Sequence, residues 1–236
     1  MVIIDFHYAY FILTIPFILV WSLIFIFSKR TRKEQLIMSC LFLFAGTIGE
    51  IFYFQDYWNP GSILSINIGP VGILLEDLLF SFSVAGIGAV IYRVFFDKRV
   101  LLEEKKFFNA IPAFLGLSFI SLAVSCLLFF IGVNSIFATS IGFITGALYI
   151  IVRKRGFLVN SLLSGLFMSL IVFVSYVILR GVILNSEQLL QQGWLLYNTT
   201  LDLRIFDIPF TEIIWFFAFG MLLGPSYEFI KGLKAN

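Results

Sequence analysis

The chain has 236 residues, of which 60% are hydrophobic and 13% are charged, and its formal net charge is +2. Soluble domains usually contain about 25% charged residues, so this composition excludes a water-soluble globular protein. Because one membrane crossing takes about 20 apolar residues, we predict an all-α fold, a polytopic integral membrane helical bundle.

Seven apolar runs bounded by polar clusters predict about seven transmembrane helices. The first run is too long for the core of a signal peptide, and no small-residue cleavage pattern follows it, so it is expected to remain a membrane helix. The predicted helices lie near residues 8–28, 36–54, 73–96, 112–132, 135–152, 157–184 and 208–230.

The Lys and Arg residues predict the orientation of these helices. On a seven-helix path, 14 of the 16 basic residues fall on one side, leaving Arg180 and Arg204 opposite. An excess of Lys and Arg marks the cytoplasmic side, so we expect a multi-pass cell-membrane protein with its N-terminus outside and its C-terminus in the cytoplasm. Nine of the 14 acidic residues lie toward the outer side. The basic residues of the predicted cytoplasmic side are Lys29, Arg30, Arg32, Lys33, Arg93, Lys98, Arg99, Lys105, Lys106, Arg153, Lys154, Arg155, Lys231 and Lys234.

An internal repeat is indicated by two Trp-bearing outer loops that each precede a carboxylate and a Phe-rich helix. Trp58 and Glu76 are 18 residues apart, as are Trp194 and Glu212. We therefore predict one membrane domain made of two parallel three-helix repeats, residues 1–106 and 134–236, joined by a linking helix within 107–133. Parallel repeats commonly place a site at their shared interface.

Four carboxylates near the outer helix ends are the candidate catalytic residues: Glu50, Glu76, Asp77 and Glu212. A carboxylate in a membrane helix costs about 2.5 to 3.5 kcal/mol, so such residues usually face the bundle interior and mark a site. Adjacent carboxyls in an apolar pocket do not easily both ionise, so one can act as general acid and its neighbour as base. Stabilisation of helix N-termini is the structural alternative, and the sequence leaves open which carboxyl is acid and which is base.

Aromatic residues surround these carboxylates in the sequence. Aromatic faces stabilise a passing cation, although aromatic residues also form membrane-interface belts and pack helices. Arg180, near the outer end of the sixth helix, could be a counter-ion for one of the acids or could extend to the lipid headgroups. The candidate substrate-binding residues are Phe80, Trp215, Phe216, Trp58, Trp194, Pro209 and Arg180.

Neither a metal site nor a nucleotide cofactor is predicted. Cys40 and Cys126 stand singly in apolar stretches, with no Cys or His at metal-ligand spacing. The chain contains neither a G-x-G-x-x-G motif after a strand nor a P-loop, and nothing indicates a nucleic-acid partner.

At the carboxylates the sequence resembles the membrane (non-flavin) lycopene cyclase domain family of carotenoid biosynthesis, in a fused two-repeat form. That family's helices open with a P-x-E-[ED]-x-x-[FW]-F type motif. Residues 209–216 match it except that Thr211 replaces the first acid, and residues 76–80 supply both acids but Leu74 replaces the proline. The motif register pairs Asp77 with Glu212, whereas the tryptophan alignment pairs Glu76 with Glu212, and we favour the motif register.

The resemblance implies a redox-neutral isomerase of the intramolecular lyase class that cyclises the ends of an acyclic carotenoid through a carbocation. Its substrate would be a hydrophobic polyene within the bilayer, it would need no cofactor, and a homo-oligomer or contact with other carotenoid enzymes is left open. A membrane transporter or a non-catalytic membrane subunit is the alternative, since either could use buried carboxylates as a proton or ion relay.

Overall fold

The computed structural model describes residues 1–68, 71–96 and 107–232, and within these ranges the chain is nearly all helical. The predicted cytoplasmic residues Lys98, Arg99, Lys105, Lys106 and Lys234 lie outside the described residues. The helices are α1 (Ala9–Phe27), α2 (Arg32–Asp56), α3 (Leu75–Phe96), α4 (Phe107–Phe130), α5 (Ser135–Arg153), α6 (Leu158–Val182), α7 (Ser186–Gly193) and α8 (Phe210–Lys231).

Long helices occupy all seven predicted apolar runs. Among the described residues, six helices are long and apolar enough to cross a membrane, which confirms a membrane-type helical bundle. Helix α2 is not one of these six, and its first turn contains Arg32, Lys33 and Glu34. Seven crossings, the outward N-terminus and the repeat boundaries therefore stay predictions; below, "outer" names the end of the bundle that carries the N-terminus.

Two short antiparallel hairpins, which the all-α prediction did not include, stand directly before α3 and α8. Strands β1 (Ser65–Ile68) and β2 (Val71–Leu74) precede α3, and strands β3 (Arg204–Ile205) and β4 (Ile208–Pro209) precede α8. The second hairpin turns at Phe206 and Asp207, whose positive φ angles of 50° and 63° suit a two-residue turn matched to the twist of the strands. The hairpins fix where α3 and α8 begin, and so place Asp77 and Glu212 at the third position of their helices.

Helices α3 and α8 form the centre of the bundle. Helix α3 packs on α1 and α2, α8 packs on α5 and α6, and the two helices contact each other. Small residues allow this close approach: Gly220 of α8 lies against the backbone of Ser164 and Gly165 in α6, and Gly88 of α3 faces Leu223 of α8. Helices α3 and α8 therefore place Asp77 and Glu212, which lie at their N-terminal ends, between the surrounding helices.

The two Trp-bearing loops meet each other. Trp58 and Trp194 form an isolated antiparallel bridge. Its hydrogen bonds are related by a local two-fold axis: Asn59 N donates to Gly193 O at 2.8 Å, and Leu195 N donates to Tyr57 O at 2.9 Å. This pairing joins the outer end of α2 to the end of α7, next to the carboxylates.

A buried ion cluster joins α2, α3 and α8 at the opposite end of the bundle. Arg93 Nη1 bonds Glu34, and Arg93 Nε lies 3.9 Å from Glu228 Oε1. Both carboxylates are only 2% exposed. Since breaking a buried ion pair is strongly destabilising, this cluster holds the three helices in register far from the outer carboxylates.

Candidate active site

Three carboxyls converge from three helices at the outer end of the bundle. Glu50 lies near the end of α2, Asp77 near the start of α3 and Glu212 near the start of α8. Asp77 is fully buried and Glu50 is 8% exposed. Glu50 interacts electrostatically with both Asp77 and Glu212. The fold thus brings three of the four predicted catalytic residues together.

Glu212 is oriented by a tyrosine of another helix. The hydroxyl of Tyr57, which follows the last residue of α2, donates a short hydrogen bond to Glu212 Oε1. The Thr211 hydroxyl lies 3.2 Å from the same Tyr57 oxygen and can donate to it. Tyr57 is only 4% exposed, so this bond forms in a water-poor setting, where a bond to a carboxylate is strong.

Asp77 is oriented by its own helix start. Its Oδ2 accepts the Leu74 backbone N–H at 3.1 Å, which satisfies an N–H that the helix leaves free. Its Oδ1 is buried without a hydrogen-bond partner among the described residues. The carboxyl also interacts with Tyr10 of α1.

Glu76 points away from this group. Its Oε2 accepts the Ser62 hydroxyl at 2.7 Å and its Oε1 accepts the Ile63 backbone N–H at 2.7 Å. The side chain is fully buried, so both bonds fasten the loop before β1 to the start of α3. The equivalent second position of α8 is Thr211, which contacts Tyr57 instead. The helix starts therefore align Asp77 with Glu212, as the motif register predicts.

An internal cavity, here called the acid chamber, lies between these groups. It encloses about 440 Å³ of space, including its opening. Glu50 and Glu212 line it directly, while Asp77 lies buried beside its Tyr10 wall, and no Lys, Arg or His of the described ranges lines it. The lining residues are Tyr10, Leu13, Glu50, Tyr53, Tyr57, Trp58, Phe80, Ile136, Glu212, Trp215 and Phe216.

A larger cavity, here called the lateral cavity, adjoins the chamber and extends between α2, α4 and α5. It encloses about 1060 Å³ including its opening, and its walls are mainly apolar. Four residues line both spaces: Glu50, Tyr53, Phe80 and Trp215. The remaining lining residues include Phe42, Gly49, Phe52, Leu122, Cys126 and Phe129.

The aromatic walls of the chamber are held rigidly. Phe216 stacks on Phe17 with ring centroids 5.2 Å apart and meets Phe80 edge-on at 6.0 Å. Trp215 donates from Nε1 to the Tyr53 hydroxyl at 2.9 Å. Of the predicted substrate-binding residues, Phe80, Trp215, Phe216 and Trp58 line the acid chamber.

The other three predicted substrate-binding residues lie outside the chamber. Trp194 is 2% exposed, packs behind Trp58 through the bridge and has Arg204 over its ring. Pro209 caps the start of α8. Arg180, on α6, bonds Glu187 of α7 at 3.1 Å and the Asp207 carbonyl at 2.9 Å, so its side chain extends toward the second hairpin.

A second charge cluster stabilises these outer loops. Arg204 bonds Asp202 at 2.6 Å and Glu187 at 2.7 Å, and its guanidinium lies 4.5 Å from the centre of the Tyr197 ring. Hydrogen bonding from Arg204 holds the pKa of Asp202 below its usual value. Partial burial raises the pKa of Glu187, but hydrogen bonds from Arg204 and Tyr197 outweigh it and leave that pKa lowered.

Tyr10, Tyr53 and Tyr57 also line the chamber, although none of them is among the predicted substrate-binding residues. Tyr53 and Tyr57 belong to the aromatic residues that surround the carboxylates in the sequence, and Tyr10 does not. All three are phenols inside or at the end of apolar helices. A buried tyrosine hydroxyl needs a partner, and this need was a usable signal. Among the described residues, no group of three or more His, Cys, Asp and Glu side chains is arranged to hold a metal ion.

Comparison with known proteins gives one family. A family model described as lycopene cyclase matches residues 4–95 and 134–230, which together make up most of the chain. The two matched segments contain Glu50 and Asp77 in the first and Glu212 in the second. No curated protein and no solved structure matches the chain.

Proposed function

Because this chain belongs to the lycopene cyclase family, we propose that it cyclises the ends of an acyclic, lycopene-type carotenoid by redox-neutral acid–base chemistry. The observation that carries the proposal is the acid chamber, where Glu50 and Glu212 face one space walled by aromatic rings. Such a chamber places carboxyls that can donate or accept a proton among aromatic rings that can stabilise a cation.

The reaction needs one proton donated and one recovered. A carboxylic acid protonates the terminal double bond of the polyene and leaves a tertiary carbocation. The neighbouring double bond attacks this cation and closes the six-membered ring, which moves the positive charge onto a ring carbon. A carboxylate then removes a proton from an adjacent carbon, so the product is an isomer of the substrate and the net proton count is unchanged.

We assign Glu50 as the acid and Glu212 as the base. Glu50 Oε2 is buried without a hydrogen-bond partner among the described residues, so no neighbour competes with the substrate for a proton on this oxygen. Glu212 accepts the Tyr57 hydroxyl, which orients the carboxyl in the chamber where it can take up a proton from the cyclised cation. Asp77, buried beside the chamber, is assigned to position Tyr10 and to act electrostatically on Glu50.

The aromatic walls are assigned to stabilise the cation. Phe80, Trp215 and Phe216 line the chamber from α3 and α8, on either side of the carboxylates. A cation over an aromatic face gains about 0.5 to 2 kcal/mol, more where water is excluded. In this proposal the chain spans the membrane with its N-terminus outside, so the chamber lies near the outer leaflet.

Expression in a lycopene-accumulating host with pigment analysis tests the function. We expect cyclic carotenoids with the wild type, and at least a 100-fold lower yield per folded protein with Glu50→Gln or Glu212→Gln, the usual scale for loss of a general acid or base. Glu187→Gln, which changes a carboxyl of the outer loops, is the matched control. Unchanged lycopene with folded wild-type protein would reject the cyclase and favour a transporter or a non-catalytic subunit.

A further inference from the structure

We propose that the lateral cavity is the entry route and the binding site for the linear arm of the substrate, so that the polyene enters the acid chamber sideways from the bilayer between α2 and α4. This inference rests on the proposed function, because the ligand is the unreacted part of the same polyene.

Continuity with the chamber is the first support. Four residues line both spaces: Glu50, Tyr53, Phe80 and Trp215. When the end of the polyene lies in the chamber, its next segment therefore lies where the lateral cavity meets the chamber. From Glu50 the cavity reaches Phe42 on the same helix. Eight residues of helix span about 12 Å, enough for a sizeable stretch of conjugated chain.

The walls fit a hydrocarbon that arrives from lipid. Leu122 of α4 lines the cavity and is 62% exposed on the outside of the bundle, so the space reaches the lipid-facing surface. Gly49 removes side-chain bulk from the α2 wall. Above the gap the rings of Phe52 and Phe129 meet edge-on at 5.1 Å and join α2 to α4 at the outer end. The opening therefore lies below this aromatic pair, toward the bilayer core.

The opposite side of the chamber does not offer an equal route. A smaller cavity of about 570 Å³ lies between α1, α6 and α7, and Leu13 and Trp58 line both it and the chamber. The smaller cavity thus shares two lining residues with the chamber, whereas the lateral cavity shares four. Arg180 lines the smaller cavity, and a guanidinium is an unfavourable neighbour for a polyene. Entry is therefore assigned to the α2–α4 side alone.

Substitution at Gly49 tests the route. A methyl group there meets only Tyr53 Cε2, at 3.7 Å, so a side chain at this position is compatible with the fold. Gly49→Leu adds a side chain to the α2 wall of the lateral cavity, next to the chamber residue Glu50, and is expected to lower turnover at least tenfold. Gly181→Leu is the matched control, because this glycine lies near the outer end of α6 with nothing within 4 Å of an added methyl. Cys126→Trp blocks the same cavity from α4, independently of α2.

Binding is measured separately from turnover, in the Glu212→Gln background, as the induced circular dichroism of lycopene in nanodiscs. We expect the signal with Gly181→Leu, and its loss with Gly49→Leu and Cys126→Trp. Wild-type binding and turnover in either blocked variant would overturn the entry route. A signal that the blocked variants lose, from a wild type that makes no cyclic product, would keep the binding site and reject the cyclase.

Discussion

The hydroxyl of Tyr57, at the end of α2, donates directly to the carboxylate of Glu212 on α8. The bond crosses between the two predicted repeats and fixes one rotamer of a residue that lines the acid chamber. A hydrogen bond to a charged group contributes about 1.5 to 3 kcal/mol, and about 1.4 kcal/mol corresponds to a tenfold rate change.

Tyr57→Phe removes this bond while keeping the ring. We expect the turnover of lycopene per folded protein to fall at least tenfold. Tyr149→Phe on α5, whose ring packs on Phe229 away from the chamber, is the control and should keep full turnover. Normal turnover by Tyr57→Phe would show that Glu212 does not need this donor.

Substitutions of the neighbouring residues Glu76 and Asp77 are expected to have different effects, the first on stability and the second on turnover. Glu76→Ala removes both bonds to the loop before β1, and we expect a loss of about 2 kcal/mol or more in the free energy of unfolding, with turnover per folded protein retained. Asp77→Asn should leave the fold intact and lower turnover at least tenfold. An inactive Glu76→Ala protein with an unchanged unfolding midpoint would contradict this division.

Thr211→Glu restores the family motif in the second half but is expected to lower turnover. Thr211 is 2% exposed, and a carboxylate there has to be buried beside Tyr57 and Glu212. We expect a lower unfolding midpoint and lower turnover, measured together on purified protein. Thr211→Val, which keeps the shape without the hydroxyl, should be the milder change, and higher turnover in Thr211→Glu would mean that the first acid of the motif is catalytic.

The outer charge cluster should make stability depend on pH. The folded-state pKa values of Glu187 and Asp202 lie below their usual values, so their stabilising contribution is present above about pH 4 and is lost as the pH falls through the lowered values. The unfolding midpoint of Arg204→Gln should lie below that of the wild type at pH 6, and the gap should narrow below about pH 4. A gap of constant size would exclude this linkage.

A single entry route predicts cyclisation of one end at a time. After the first ring forms, the opposite end of the polyene still lies outside the chamber, so the molecule has to withdraw and turn around before a second ring can form. At limiting enzyme we expect monocyclic carotenoid to accumulate first in a time course of extracted pigments. A product that is bicyclic from the earliest time points would contradict withdrawal between the two reactions.

Much of this arrangement could be predicted from residue type and spacing. The apolar runs predict the long helices because each has to satisfy its backbone groups internally within lipid. Buried carboxylates predict the site because a carboxylate is energetically costly within the membrane and usually marks a functional site there. The pairing of Asp77 with Glu212 follows from the motif register, since a helix face tolerates no inserted residue.

Other features depend on tertiary contacts that spacing does not encode. Glu76 and Asp77 are adjacent, and only the course of the preceding loop directs Glu76 to Ser62 and Ile63. Tyr57 is 155 residues from Glu212, so their contact depends on how α2 and α8 pack. From the sequence, Arg180 could equally be a counter-ion for one of the predicted catalytic carboxylates. In the structure its side chain pairs with Glu187 and Asp207.

The bridge between Trp58 and Trp194 has a local two-fold axis, as a two-fold dimer interface has, so each side makes the same contact with the other. In the predicted two-repeat arrangement the two halves would meet as two subunits do, and the single chain would mainly raise their effective concentration. Cut within the connection before α4, the protein should reassemble from two separately made fragments. In a single chain the two sides of such an interface can also change independently. The lateral cavity can then be wide and apolar, while the smaller cavity is narrow and lined by Arg180.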